Sequence, residues 1–429
     1  MNILYIIPGS GNSFYCGNCL RDSKYVGAVR DLGHQVVKIP MYLPLFADEN
    51  DTNNIPLFYG AISIYLKQLD PFLRRAPAWF DSLLNSKPML KIAARMSGST
   101  RARGLGELTV SMLMGEHGEQ REELDKMVAW IADHCKPDVI HLSNALLLGL
   151  AGRIREKLNV PVVCSLQDED VWVDVMKPVF RDRAWELMRE DASHVDLFVA
   201  VSDFYGDVMK ERLNLSAEKI QSVHLGVFLE DYPTTPVESK GRNIGFISRM
   251  NHENGLDILV DAFRQLKQKS GFDDVRLVLT GGYTGDDVKY IKSNRKKLAR
   301  AGLLEYVEFH KDFVDSGRME FFRKVSVVSV PVRMGEAFGL YLVEAMASGV
   351  PVVQPALGAF PEIIGVTGGG ITYEENTPEN LARTLEKILG DKELLRQKSL
   401  DARSGTEDHF NITRQTGKMI EAYESIIKT

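Results

Sequence analysis

Cysteine is scarce in this 429-residue chain, which has four: Cys16, Cys19, Cys135 and Cys164. So few thiols make no disulfide framework and fit a reducing compartment. Long apolar runs are missing as well, since no stretch approaches the ~20 residues that a membrane-crossing helix needs. A large charge of either sign is absent: 52 basic against 58 acidic residues leave a net charge of −6. That gives nucleic acid no broad attraction. The chain also lacks low-complexity tracts and short internal repeats. Its first nine residues, Met1-Asn-Ile-Leu-Tyr-Ile-Ile-Pro-Gly9, have neither the basic start nor the small-residue cleavage site of a leader, and read as a first β-strand. The expected home is the cytoplasm.

The chain does have short apolar runs between helical patterns. They fall at 3–7, 36–39, 139–142, 160–166 and 195–201, then at 244–247, 275–280, 307–309, 325–332, 350–353 and 370–373. Most are continuous rather than alternating, as parallel strands covered on both faces require. With 44% hydrophobic residues and enough length for two cores, the pattern predicts an α/β protein of two doubly wound, Rossmann-like domains. Tyr232-Pro-Thr-Thr-Pro-Val-Glu-Ser-Lys-Gly-Arg242 reads as the boundary. Domains are therefore expected at 1–233 and 241–405, followed by a terminal helix over about 406–429.

One segment breaks the rhythm. Residues 61–103 carry eight basic side chains against two acidic ones, interleaved with Phe72, Trp79, Phe80, Leu83, Leu84 and Leu90. Such a segment suits peripheral contact with the inner face of an anionic membrane or with an anionic acceptor. The plainer reading, which the composition favours, is a helical excursion that packs its apolar face and solvates its charges.

The richest string is Arg333-Met-Gly-Glu336-Ala337-Phe338-Gly339-Leu340-Tyr-Leu-Val-Glu344. An apolar strand runs into it and another follows, so Glu336 precedes a helix and Glu344 lies inside it. The helix N-terminus between them offers N–H groups to an anion, and the carboxylates offer acceptors to sugar hydroxyls. A nucleotide sugar has both. Arg249, at the end of a strand, suits a diphosphate; an inter-element salt bridge is the structural alternative. Gln167 and Asp168 follow a first-domain strand and expose polar tips there. Gly9, Ser10 and Gly11 follow strand one, where a backbone can approach a phosphate, but the third glycine of a dinucleotide fingerprint is missing. Cys16-Gly-Asn-Cys19 lacks the further ligands that zinc needs and reads as ordinary loop.

Together these residues resemble retaining glycosyltransferases of the GT-B fold, most closely glycosyltransferase family 4. The likeness is strongest over 244–382, and a bacterial subgroup is similar to Tyr15-Cys-Gly-Asn-Cys-Leu-Arg-Asp22. The resemblance implies two Rossmann-like domains facing a cleft, with the terminal helix packing back on the first. It implies that Glu336 contacts donor-sugar hydroxyls, that Glu344 holds the ribose, and that the backbone of Ala337, Phe338, Gly339 and Leu340 meets sugar and phosphate. Arg249 matches the diphosphate arginine. Gly281, Gly282 and Phe313 fall near the base. Gln167 stands where the family usually has His, and Asn254 stands where it has Lys, which removes a charged hydrogen bond of about 1.5–3 kcal/mol.

The expected activity is transfer of a sugar from a nucleotide diphosphate to a hydroxyl of a glycan, lipid-linked or small-molecule acceptor, with retention. No cofactor is expected, and no Asp-x-Asp string is evident at the site around Glu336, so metal independence is expected. Asn254 and Gln167 motivate one alternative, a GT-B protein that binds a nucleotide sugar or glycan without turnover; a nucleotide-sugar epimerase of similar fold is another.

Overall fold

A computed structural model describes residues 1–8, 17–41, 58–59, 105–310 and 315–427. The chain forms two compact units, Met1–Val223 with Thr416–Thr429, and His224–Gln415. The first holds β1 (Asn2–Ile7), β2 (Gln35–Pro40), β3 (Val139–Leu142), β4 (Val162–Leu166), β5 (Leu197–Ala200) and β6 (Ile220–Ser222). They pair in the order β2-β1-β3-β4-β5-β6, all parallel. The second holds β7 (Asn243–Ile247), β8 (Arg276–Thr280), β9 (Val307–Phe309), β10 (Val327–Val328), β11 (Val352–Pro355) and β12 (Gly370–Tyr373). Their order is β12-β11-β10-β7-β8-β9, again all parallel.

The doubly wound α/β architecture is the one that the continuous apolar runs predict. β3, β4 and β5 are buried at every residue, because helices cover both faces of each sheet. β6 has no such run: Ile-Gln-Ser is short and partly exposed at the sheet edge, so it carries little hydrophobic signal. In each sheet the direction of winding reverses at one place. In the second unit that place lies between β7 and β10, and in the first between β1 and β3. Open α/β sheets leave a crevice there, outside the carboxyl ends of the strands.

The contact boundary falls at Val223/His224. The Pro-rich stretch 232–242 lies within the second unit, where Tyr232 is 2% exposed and the Lys240 ammonium donates to the Phe322 carbonyl at 3.0 Å. Near the end of the chain, Lys392–His409 and Ile412–Ile427 are separate helices. Met419, Ile420, Ala422 and Tyr423 of the last helix enter the first unit's core beside Ile3, Tyr5 and Ile7. The Tyr423 hydroxyl lies 2.6 Å from His141 Nδ1 and 3.1 Å from the Tyr25 hydroxyl. A buried hydroxyl needs such partners.

Candidate functional site

In the second unit, β10 feeds residues 331–339 and then the helix Leu340–Ala347. Gly339 caps this helix at φ +85°. A Cβ placed there would sit 2.8 Å from Leu342 Cδ1 and 2.9 Å from Phe360 Cε1, so both the left-handed backbone and the space call for glycine. The same point lies 3.2 Å from Glu336 Oε2, which puts the Glu336 carboxylate at the helix N-terminus. The Tyr341 hydroxyl donates to Glu336 Oε1 at 3.3 Å. From the other side, the Ala359 N–H donates to the Glu336 carbonyl at 3.1 Å. Gly358, at φ +59°, approaches so closely that a Cβ would stand 2.5 Å from Glu336 N. Ala337 and Phe338 are buried and anchor the turn, while Glu336, Gly339 and Leu340 stay half-buried. The first N–H groups of a helix have no intrahelical acceptor, and the helix dipole adds partial positive charge. This terminus can therefore bind an anion while Glu336, at its rim, accepts hydroxyl donors.

Glu344 is the one charged residue of that helix and is 2% exposed. Its Oε1 accepts the Tyr232 hydroxyl at 2.8 Å, and its Oε2 pairs with the buried Arg318 guanidinium. An unpaired carboxylate at this depth would cost several kcal/mol. Arg318 carries no sequence signal, because nothing in the helix Asp315–Lys324 distinguishes it from the other surface-type arginines.

The loops after β7 and β8 lie side by side. Ser248 N–H reaches the Thr280 carbonyl at 3.3 Å, and Met250 N–H reaches the Gly282 carbonyl at 3.0 Å. A Cβ on Gly281 would stand 1.9 Å from the Ser248 carbonyl. Arg249 donates from Nε to Asp287 Oδ2 at 3.0 Å and from Nη2 to Thr284 Oγ1 at 3.0 Å. Burial alone would raise the Asp287 pKa, but Arg249 and Thr284 together hold it below the usual range. Sequence reasoning missed Asp287, although Thr284-x-x-Asp287 is a capping-box spacing that marks a helix start. Both amide hydrogens of Asn254 are used inside the loop, on Ser248 Oγ at 2.8 Å and the Arg249 carbonyl at 3.1 Å. Arg333 pairs with Asp257 at 2.7 Å and donates to the His252 ring at 3.1 Å.

In the first unit, Gln167 is buried after β4. Its Nε2 donates to the Ser143 carbonyl at 2.7 Å, and its Oε1 finds no donor among the described residues. Asp168 has φ +55°, a backbone that Asp tolerates better than most residues. Beneath them lies Glu169, 1% exposed. It accepts Ala145 N–H at 2.9 Å, Gln167 N–H at 2.7 Å and the Tyr205 hydroxyl at 2.9 Å. Burial pushes its carboxyl up to about 7 against these hydrogen bonds. Gly9, Ser10, Gly11, Cys16, Phe313 and the basic segment 61–103 lie outside the described residues.

Comparison with solved structures establishes the fold class. The Anabaena HepE protein in complex with UDP superposes with a TM-score of 0.70 at 17% identity, over 99% of this chain and 100% of that one. Sucrose-phosphate synthase from Thermosynechococcus elongatus gives 0.69 at 17% identity, over 100% and 99%. The chain has the two-domain GT-B fold of these proteins. Residues 241–391 match the family described as Glycosyl transferases group 1, and residues 114–231 match Glycosyltransferase Family 4. The protein thus resembles the group 1, family 4 glycosyltransferases across both units. Among curated relatives, the lipopolysaccharide core biosynthesis mannosyltransferase LpsB of Rhizobium meliloti is 28% identical over 43% of this chain and 52% of its own length. The phosphatidyl-myo-inositol mannosyltransferase of Mycobacterium leprae is 27% identical over 53% and 59%. The chain thus spans about half the length of these relatives.

Proposed function

We propose that this protein is a retaining glycosyltransferase that moves a sugar from a nucleoside diphosphate to an acceptor hydroxyl. The observation that carries the reading is the Glu336 carboxylate at the half-buried N-terminus of Leu340–Ala347, in the loop after β10. Arg249 follows β7, the neighbouring strand across the place where the winding reverses. The HepE neighbour binds UDP, and the relatives above are named for mannosyl transfer.

The donor's diphosphate sits on the helix N-terminus and Arg249, and Glu336 accepts its sugar hydroxyls. Glu344 has lone pairs beyond those used by Tyr232 and Arg318, and these receive the ribose hydroxyls. The bond from the anomeric carbon to phosphate oxygen breaks as the bond to the acceptor oxygen forms on the same face. The leaving phosphate oxygen takes the acceptor's proton, so no protein nucleophile is needed. Helix dipole and guanidinium stabilise the charge growing on the diphosphate, and this stabilisation should contribute most to the rate. A glycan or lipid-linked acceptor fits the names of the relatives. The basic segment 61–103 suits an acceptor held at a membrane surface.

Incubation with a panel of nucleotide sugars, following release of nucleoside diphosphate, tests the reading. Release that disappears in Arg249→Ala supports it. Tight binding with no release, in line with the fully used amide of Asn254, would make the protein a binder instead. The route uses no metal, so a chelator should leave the rate unchanged. A loss that a divalent cation restores would contradict it.

A further inference from the structure

We propose that Asp287 is the positioning residue for Arg249, gripping one edge of the guanidinium so that the other edge faces the donor's diphosphate. This rests on the diphosphate role of Arg249 proposed above.

A guanidinium has five N–H donors in a fixed plane. Nε uses its hydrogen on Asp287 Oδ2 at 3.0 Å. Nη2 reaches Asp287 Oδ1 at 3.3 Å and Thr284 Oγ1 at 3.0 Å. The two hydrogens on Nη1 meet no acceptor among the described residues. The pair is asymmetric in burial: the Arg249 side chain is 42% exposed and that of Asp287 is 9%. Asp287 is itself fixed. Its Oδ2 accepts the Thr284 N–H at 2.7 Å and the Thr284 hydroxyl at 3.0 Å, at the start of the helix Val288–Arg300. A buried, locked carboxylate therefore holds an exposed cation, and the loop after β8 sets the orientation of a side chain from the loop after β7.

This arrangement has two opposed effects. Fixing the plane of Arg249 favours stabilisation of the leaving diphosphate, where small misplacements are costly. The negative charge of Asp287 weakens the attraction of the same guanidinium for an anion. Replacing Asp287 by Asn should therefore separate rate from affinity. Asn keeps an oxygen for the Thr284 N–H, so the helix cap survives.

The test measures Asp287→Asn by calorimetry with uridine, guanosine and adenosine diphosphates, and by nucleotide release from the matching nucleotide sugar. We expect turnover to fall roughly ten- to a hundred-fold. Diphosphate affinity should hold or tighten up to about ten-fold, at an unchanged melting temperature. Asp287→Glu should regain part of the turnover. Parallel losses of turnover and affinity with a lowered melting temperature would make Asp287 a helix cap only and overturn the proposal, as would unchanged turnover. Arg249→Ala separates the two levels. If it binds and turns over like the wild type, the diphosphate role of Arg249 fails and this inference with it. If it loses both while Asp287→Asn shows no split, only the inference fails.

Discussion

Glu336 and Glu344 stand eight residues apart, and folding sends them to opposite surroundings. Glu336 sits half-buried at a helix N-terminus, bonded to a neutral tyrosine hydroxyl. Glu344 is sealed against Arg318 and Tyr232. Removing each carboxylate should therefore read out differently. Glu344→Ala strands the buried Arg318 charge, which costs about 3–5 kcal/mol, so the melting temperature should fall by roughly 10 °C. Calorimetry that finds the variant as stable as the wild type would contradict the structural role of this pair. The residue types and their spacing are legible in the string itself. The partners of Glu344 are not, because Arg318 and Tyr232 come from distant elements, as Asp287 does for Arg249, and a sequence pattern records only near neighbours. Asn254 shows the same limit: the missing charge can be read, but not that its amide closes the loop of Arg249.

Elements are more legible than partners. Apolar runs, most of them continuous, mark every strand except β6, whose three residues lie partly exposed at an edge. The Pro-rich stretch 232–242 has the composition of a linker, yet it belongs to the second unit because Tyr232 is held by Glu344. Glu169 fastens elements of the first unit. One carboxylate joins the loop after β3, the loop after β4 and the helix Asp203–Leu213. Its folded pKa of about 7 lies well above the ordinary glutamate range, so the folded state favours the protonated form. That contribution to stability is complete below the unfolded pKa and is lost as pH rises through the folded one. Between about pH 5 and about pH 8 the loss should be about 2–3 kcal/mol. Urea unfolding at both pH values should show a steeper fall for the wild type than for Glu169→Gln. Parallel falls would mean that this carboxyl titrates normally.

At the scale of the molecule, two parallel six-stranded sheets each bring loops to a place where the winding reverses, and the candidate donor residues of the second unit gather at one of them. Two doubly wound α/β domains are legible from the alternation of strands and helices, because such sheets leave a largely continuous hydrophobic signature, whereas the GT-B assignment rests on the motif resemblance. The donor base, sugar and acceptor of the proposed transfer leave no such signature. Among the described residues no helix is long and apolar enough to cross a membrane. The proposed function stands or falls on Glu336 at the helix N-terminus serving transfer rather than folding. Glu336→Ala should be compared with the wild type for nucleotide release from a nucleotide sugar that the wild type turns over, alongside the melting temperature of each. Release should fall at least about a hundred-fold, equivalent to about 2.7 kcal/mol of transition-state stabilisation, at an unchanged melting temperature. Full release in the variant would refute the role of Glu336 and the donor site built around it.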